Sequence, residues 1–353
     1  MQFYIIQILF IVFLAFCSKM AKNKGITRIL FVVSFLFVLI GHAFRDPYSF
    51  PDNERYIETF YYCKDCSLND LLFLPRELGF NLLNFVVVKI YPWHEILYWI
   101  MSFLVVYTFF KYTWKCSYMP FLSVLIFLCY HTLYYQSLFV LRQHLAQCFI
   151  FIALFKYNKS SIKMLCCFII AFLLHSSAII FFPYLWFRKI KIKNFFKTIV
   201  IIFFLVILFN YFVEKVIALF PRFQQYTEVE GNNILPLLIV LPLFCIHLLK
   251  GNYTQKLQGV DLEILTCLLY GLFVSIIIIG LPGGGRLSNY FMYMLPFAVP
   301  MLFKGKRYRI ASGAYLMSIF MVMIYLQYQL ASSDFFSEYD FYWNNQLNLN
   351  INE

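Results

Sequence analysis

The sequence predicts an all-α polytopic membrane protein, and three observations support this fold class. Hydrophobic residues make up 62% of the 353 residues, whereas charged residues make up only 13%; soluble domains have about 45–50% apolar and about 25% charged residues. The apolar residues form runs close to the 17–25 residues that a membrane-spanning helix needs. Short loops that carry the basic residues separate these runs. Because no polar stretch is long enough to fold as a soluble domain, we predict one integral membrane domain over residues 1–353.

Ten apolar runs are predicted to cross the membrane as ordinary helices. They cover residues 3–17, 26–44, 96–110, 119–135, 138–155, 195–213, 234–249, 262–281, 287–303 and 310–326. The first run is followed rather than preceded by lysines, which favours a retained span over a cleaved signal peptide. The net charge of +12 comes from these loops and follows the positive-inside pattern, so we expect no nucleic-acid partner.

The positive-inside rule predicts that both termini lie outside the cytoplasm. In this orientation most of the 29 basic residues fall in cytoplasmic loops, whereas only Asp261 and Glu263 of the 17 acidic residues share that side. The tail over residues 329–353 is then outside. This distribution of charges holds only if residues 162–187 enter and leave the membrane on the same face, because lysines flank this stretch at both ends.

Residues 162–187 are therefore predicted to form a short broken or re-entrant hairpin. As one helix this stretch would be about 39 Å long, which is too short for two full crossings. His175 and Ser176 lie at its centre, in "FLLHSSAII". Since a backbone break inside a membrane needs protein or a water-filled cavity to satisfy it, we expect His175 to face a polar cavity.

The largest outer loop is predicted over residues 45–95. It begins polar and becomes amphipathic, and residues 71–92 are predicted to form an interfacial helix rather than a span. Cys63 and Cys66 lie in its polar part as a Cys-x-x-Cys pair. One isolated pair favours a structural or incidental role over a redox function, and whether the two cysteines form a disulfide stays open.

Three residues are predicted to be catalytic: Arg142, His175 and Arg286. Arg142 lies inside an apolar run, where a charge is costly unless it faces a cavity or snorkels to the interface. Arg286 follows "LPGGG", where three glycines permit close backbone approach. Two arginines suit a phosphate or diphosphate, and a histidine can accept a proton near neutral pH. The alternative is that both arginines are interfacial anchors.

Further polar and aromatic residues are predicted to bind a polar substrate. These residues are Asp52, Tyr56, Arg76, Glu77, Asn84, Ser176 and Tyr290. The sequence has neither the His-Glu-x-x-His motif of metal hydrolases nor the Gly-x-Ser-x-Gly motif of serine hydrolases. We therefore expect no metal site and no cofactor.

Several motifs in this order resemble the EpsG-type, Wzy-like polymerases of bacterial surface polysaccharide. They are "DNERY", "RELGFNLLN", "LRQHLAQCFIFIAL", "YNKSSIKMLCCFIIAFLLHSSAIIFFP" and "GGGRLSNYF", and they extend over about residues 40–300. The familiar His-Pro-Ser motif of the family is here His175-Ser176-Ser177. This departure keeps the histidine and leaves the backbone at the break less constrained.

The resemblance implies a reaction on the outer face of the bacterial cytoplasmic membrane. Oligosaccharide repeat units carried on undecaprenyl diphosphate would be joined, with the lipid diphosphate as leaving group. Arg142 and Arg286 would neutralise the diphosphate, and His175 would accept a proton or position the acceptor sugar. The expected partners are the lipid-linked glycans, the bilayer, and a chain-length regulator and flippase of the same pathway.

Three other functions stay open on the sequence alone. A lipid-linked oligosaccharide flippase would also have a cationic cavity, but its polar residues should extend through the full membrane depth. A membrane acyltransferase that modifies polysaccharide would also carry an intramembrane histidine and arginine. The third, non-enzymatic alternative is a scaffold for an envelope assembly complex.

Overall fold

The structure is a computed structural model, and it describes residues 2–50, 52–74, 76–189, 235–249, 259–277, 284–305, 308–331 and 341. It is 82% helical. Among the described residues the only β-pairing is an isolated bridge between Arg45 and Phe341. The all-helical class predicted from the sequence is confirmed.

Fifteen helices follow one another in the described part of the chain. They are α1 (Gln2–Ala21), α2 (Lys24–Ala43), α3 (Asn53–Asp65), α4 (Leu78–Ile90), α5 (Glu95–Cys116), α6 (Pro120–Cys129), α7 (Tyr134–Ser137), α8 (Leu141–Phe151), α9 (Ser161–Leu174), α10 (Tyr184–Phe187), α11 (Leu235–Leu249), α12 (Val260–Ile277), α13 (Gly284–Met292), α14 (Leu295–Met301) and α15 (Arg309–Ala331). One π-helical turn, Ile152–Lys156, extends α8.

Five of these helices are long and apolar enough to cross a membrane: α1, α2, α5, α12 and α15. Each corresponds to one of the ten predicted runs. Further apolar helices are shorter, among them α6, α9 and α11. The chain therefore has the character of a multi-pass membrane protein, while the count of ten spans and the outward termini stay predictions.

Two predicted runs are interrupted in the structure. The run over 119–135 ends as α6 at Cys129, and the run over 287–303 divides into α13 and α14. Pro296 lies in the first turn of α14, where the missing N–H of proline costs no helical hydrogen bond. The predicted span over 195–213 lies outside the described residues.

The chain divides into two compact units. The first unit comprises residues Met1–Ile179 and Phe320–Glu353, and the second comprises Ile180–Ile319. In the first unit α1 packs on α2 and α6, α5 packs on α2 and α8, and α9 packs on α8 and α4. In the second unit α12 packs on α10, α11 and α13. The prediction of a single integral membrane domain stays a prediction.

The predicted break at His175 is present in the structure. Ser160 caps α9 by accepting the backbone N–H of Lys163 at 3.4 Å, and α9 ends at Leu174. His175 then has extended backbone angles, φ −156° and ψ 117°, before a 3-10 helix over Ser176–Phe181. The re-entrant path of the hairpin stays a prediction.

The segment over residues 45–95, which is predicted to be an outer loop, contains two helices, α3 and α4, which pack against each other. The predicted interfacial helix over 71–92 is shorter in the structure, because helix α4 begins only at Leu78. Before it, Asp70–Leu72 form a 3-10 turn, and Glu77 is extended with φ −62° and ψ 141°. This extended residue is the first element of the candidate site.

Candidate functional site

Five of the predicted site residues meet in the first unit. Glu77 directly precedes α4, Arg142 is the second residue of α8, and His175 and Ser176 follow α9; Tyr56 lies on α3. These residues, here called the Glu77 cluster, are far apart in sequence. The packing of α4 and α8 on α9 and of α3 on α4 brings them together.

The Glu77 carboxylate is the centre of this cluster. Its Oε1 accepts hydrogen bonds from the Ser176 backbone N–H and from the Ser176 hydroxyl, both at 3.0 Å, and lies 3.2 Å from Nδ1 of His175. Its Oε2 forms an ion pair with the Arg142 guanidinium. The side chains of Arg142, Glu77 and His175 are only 16–19% exposed, so the cluster is a largely desolvated charge network.

The loop before α4 is held by a residue that sequence reasoning missed. Asn81 is fully buried, and its Nδ2 donates to the backbone oxygens of Arg76 at 2.8 Å and Leu71 at 3.2 Å. These bonds tie the backbone at Leu71 and at Arg76, both of which precede Glu77, to helix α4. In the sequence, a single asparagine on an amphipathic helix does not indicate that its side chain holds the preceding loop.

Aromatic rings surround the Arg142 guanidinium. Its central carbon lies 5.6 Å from the centroid of the Tyr56 ring and 5.8 Å from that of Phe80, within the range of cation–π attraction. Tyr56 is also a hydrogen-bond partner of Arg142, yet burial raises the pKa of the Tyr56 phenol overall. Tyr56 therefore stays neutral, and Glu77 supplies the negative charge opposite Arg142.

Competing effects set the pKa of Glu77. Burial alone would raise it, but the hydrogen bond from His175, the charge of Arg142 and the backbone N–H of Ser176 act in the opposite direction and outweigh burial. The result is a pKa well below the usual range of a glutamate. Glu77 is consequently an ionised, hydrogen-bond-accepting group at neutral pH.

Arg76, which precedes Glu77 in the chain, differs from Arg142 in its surroundings. Within the described residues it forms no ion pair, and its buried Nε has no hydrogen-bond partner. Partial burial and then the neighbouring charge of Arg142 lower the pKa of Arg76; an arginine remains charged nevertheless. With two guanidiniums and one carboxylate, this corner of the site carries a net positive charge.

The other predicted site residues lie in different surroundings. Asp52 precedes α3 in a left-handed conformation, φ 67°, and makes no capping hydrogen bond with its side chain. Asn84 is fully buried, and its Nδ2 donates to the Phe80 carbonyl of its own helix at 2.8 Å. Tyr290 is buried in the second unit, where its ring and the Phe181 ring form a T-shaped pair. Arg286 lies on α13, and its side chain lies outside the described part of the structure.

A second buried network, centred on Arg45, holds two elements of the site in place. Arg45 is 1% exposed; its Nε donates to the Leu138 carbonyl at 2.8 Å, and its Nη1 donates to the Ser102 hydroxyl at 3.1 Å. Asn53, at the start of α3, donates to the same Leu138 carbonyl at 3.4 Å. The network thus joins the beginning of α3 to the turn that precedes α8.

Over the described ranges, no group of three or more histidine, cysteine, aspartate or glutamate side chains is placed to hold a metal ion. The same ranges contain Cys63 and Cys66 as free thiols, and burial raises the pKa of the Cys63 thiol to about 11.

The apolar helices and the charged, desolvated cluster define a multi-pass membrane protein with a polar site. Comparison with known protein families gives the particular family. The sequence model of the EpsG family matches residues 28–341, nearly the whole chain, and the chain belongs to this family. EpsG is a family of Wzy-like polysaccharide polymerases. No curated protein matches the chain, and neither does any solved structure.

Proposed function

We propose that this protein joins oligosaccharide repeat units carried on undecaprenyl diphosphate, at the outer face of the bacterial cytoplasmic membrane. The observation that carries the proposal is the Glu77 cluster, in which a histidine and an arginine share one carboxylate. Membership of a polymerase family gives the reaction class. The lipid carrier is what the resemblance to these polymerases implies, and the charge pattern of the loops supports the outer face of the membrane.

The charge of the site suits a diphosphate leaving group. Arg76 has no ion-pair partner among the described residues, and the charge of Arg142 acts on it. Glu77 is the one carboxylate beside these two guanidinium groups. Guanidinium groups bind phosphate oxygens in a bidentate manner, and fixed cations stabilise negative charge that develops as a bond breaks. Arg286 lies on the second unit and stays a proposed catalytic residue.

The sugar part of the substrate is proposed to bind the outer segment. A cleft of about 490 Å³ in this segment is lined by Tyr62, Asp65, Cys66, Asp70, Phe73 and Leu74. Its carboxylates can accept hydrogen bonds from sugar hydroxyls, and its exposed rings, Tyr62 and Phe73, offer flat apolar faces. Asp52, Tyr56 and Asn84 stay proposed as substrate-binding residues of the same segment.

Arg142→Ala tests the proposal directly. We expect the variant to insert into the membrane at the wild-type level but to form no long-chain polymer, because the leaving group loses a fixed cation. Arg55→Ala is the matched control, since Arg55 is an exposed arginine of the same outer segment. Wild-type chain lengths from the Arg142→Ala protein would contradict the assignment.

Lipid-linked material from a deletion strain separates the alternatives. Loss of a polymerase leaves single repeat units on the outer face of the membrane, whereas loss of a flippase traps them on the inner face. Loss of an acyltransferase leaves long polymer without its modification. A chain-length regulator and a flippase are proposed as pathway partners, and a co-purification from membranes would detect them.

A further inference from the structure

We propose that Glu77 is a positioning residue that fixes the tautomer of His175 and leaves Nε2 of His175 as the proton acceptor. The inference rests on the proposed polymerase function and assigns a role to a residue for which substrate binding was expected. It starts from the hydrogen bond between Nδ1 of His175 and Oε1 of Glu77 at 3.2 Å.

The direction of this hydrogen bond follows from the chemistry of the two groups. An ionised carboxylate can only accept hydrogen bonds, so the proton between them belongs to Nδ1 of His175. A neutral imidazole carries one N–H, and its other nitrogen then has a free lone pair. The tautomer with the proton on Nδ1 is therefore the one that Glu77 stabilises.

Nε2 of His175 is available for this role. It makes no hydrogen bond to any described residue, and it is not one of the buried polar atoms that lack a partner. Because the histidine side chain is 19% exposed, Nε2 can be reached from the site. Its lone pair is therefore free to accept a proton from a hydroxyl group.

Glu77 is itself held in place, which a positioning residue requires. Two donors from Ser176 and one from Arg142 bind the carboxylate in addition to His175. Ser176 directly follows the helix break, so one short segment presents both the histidine and the donors that fix its partner. A carboxylate that is held this way needs little rearrangement when the imidazole becomes charged.

In the proposed reaction, proton transfer to His175 accompanies the formation of the new glycosidic bond. The acceptor sugar hydroxyl gives its proton to Nε2 of His175 while its oxygen forms a bond to the anomeric carbon of the donor glycan. The bond between that carbon and the lipid diphosphate breaks, and the electron pair leaves with the diphosphate. The resulting imidazolium is stabilised by Glu77, as a buried carboxylate stabilises a catalytic histidine elsewhere.

A double-mutant cycle tests the role of Glu77. Lipid-linked repeat units extracted from a deletion strain are supplied to purified full-length protein, and initial rates are compared for wild type, Glu77→Gln, His175→Ala and the double variant. We expect Glu77→Gln to lower kcat by about 10²–10⁴-fold and to change the rate less than about threefold when His175 is already absent. Equal factors in both backgrounds, or no effect in the wild-type background, would overturn the proposal.

The matched control is Glu54→Gln, because Glu54 is an exposed carboxylate on α3. This variant should retain the wild-type rate. The cycle also separates the proposed role from an effect through Arg142, since loss of the Arg142 ion pair would persist in the His175→Ala background.

A spectroscopic measurement keeps the inference testable apart from the reaction. In ¹⁵N-histidine-labelled protein in lipid nanodiscs, the His175 signals are assigned by their absence in His175→Ala. The wild type should show a protonated Nδ1 and a bare Nε2, and Glu77→Gln should show a mixture of both tautomers. A protonated Nε2 in the wild type would refute the inference. Absence of polymer with the wild-type protein would refute the proposed function alone.

Discussion

Gly79, in the first turn of α4, lies against the Leu173 carbonyl at the end of α9. A Cβ atom on residue 79 would lie 2.7 Å from the Leu173 oxygen and 2.9 Å from its carbonyl carbon. Only a glycine permits this approach without moving the backbone. Because Glu77 and His175 each lie two residues from this contact, the close packing of the two helices sets the distance between the carboxylate and the imidazole.

Gly79→Ala should weaken the protein and the Glu77 cluster together. The added methyl group meets backbone rather than a flexible side chain. We therefore expect the free energy of unfolding to fall by about 1–3 kcal/mol and the thermal midpoint in detergent to be lower. Polymer formation should fall as well, because α4 and α9 must separate.

Gly313→Ala is the control for this prediction. Gly313 is a helical glycine of α15, and a Cβ there meets nothing within 4 Å. Since alanine favours a helix by about 1 kcal/mol over glycine, the control should be neutral or slightly stabilising. If both variants have the same thermal midpoint, the Gly79 contact does not constrain the helices.

The sequence alone predicted much of this arrangement. A histidine at the centre of an apolar stretch and an arginine within another are conspicuous because each is costly in a membrane, and this led to Arg142 and His175. The helix break at His175 followed from the charges on both sides of it.

The ion pair itself could not be predicted, for a physical reason. Glu77 and Arg142 are 65 positions apart, and only the packing of α4 and α8 on α9 brings them together. Arg45 was missed because it follows an apolar run, where an arginine looks like an ordinary loop residue. The structure instead buries it completely among backbone carbonyls and hydroxyls.

Acid should destabilise the protein in part through Glu77. The pKa of Glu77 is lowered in the folded protein, whereas an unfolded glutamate has a pKa of about 4.3. The ionised carboxylate therefore adds stability above the unfolded pKa, and this contribution is lost as the pH falls from about 4.3 toward the folded pKa. We expect the thermal midpoint of the wild type to fall more than that of Glu77→Gln between about pH 6 and pH 3.

Glu54→Gln is again the control for the acid measurement, because this exposed side chain has no ion pair in the described chain. It should show the full acid sensitivity of the wild type. Parallel curves for wild type and Glu77→Gln would mean that the Glu77 ion pair contributes nothing to stability.

An ion pair in the second unit gives a separate prediction. The Arg188 guanidinium binds the Glu263 carboxylate at 2.9 Å, and Tyr184 donates to the same carboxylate at 2.8 Å. The two charged side chains are 14% and 9% exposed. Arg188→Ala should lower the free energy of unfolding by about 3–5 kcal/mol, because removing one partner leaves a buried charge uncompensated.

Lys304→Ala provides the comparison within the same unit. Lys304 pairs with Asp261 at 2.5 Å, but these side chains are two to three times as exposed, at 28% and 27%. Loss of this ion pair should lower the free energy of unfolding by less than about 1 kcal/mol. Thermal midpoints in detergent measure both variants; a larger loss from Lys304→Ala would contradict the argument from burial.

The hairpin over residues 162–187 is tested by labelling its two ends. In a background without the native cysteines, Ile162→Cys and Lys189→Cys place single thiols at positions that are both exposed in the structure. If the segment enters and leaves on the cytoplasmic face, a membrane-impermeant maleimide should label both in inverted vesicles and neither in intact cells. Cys66, restored alone in the predicted outer segment, should show the opposite pattern. Labelling of positions 162 and 189 from opposite faces would instead make the segment a single crossing, and the orientation predicted for every later span would then be reversed.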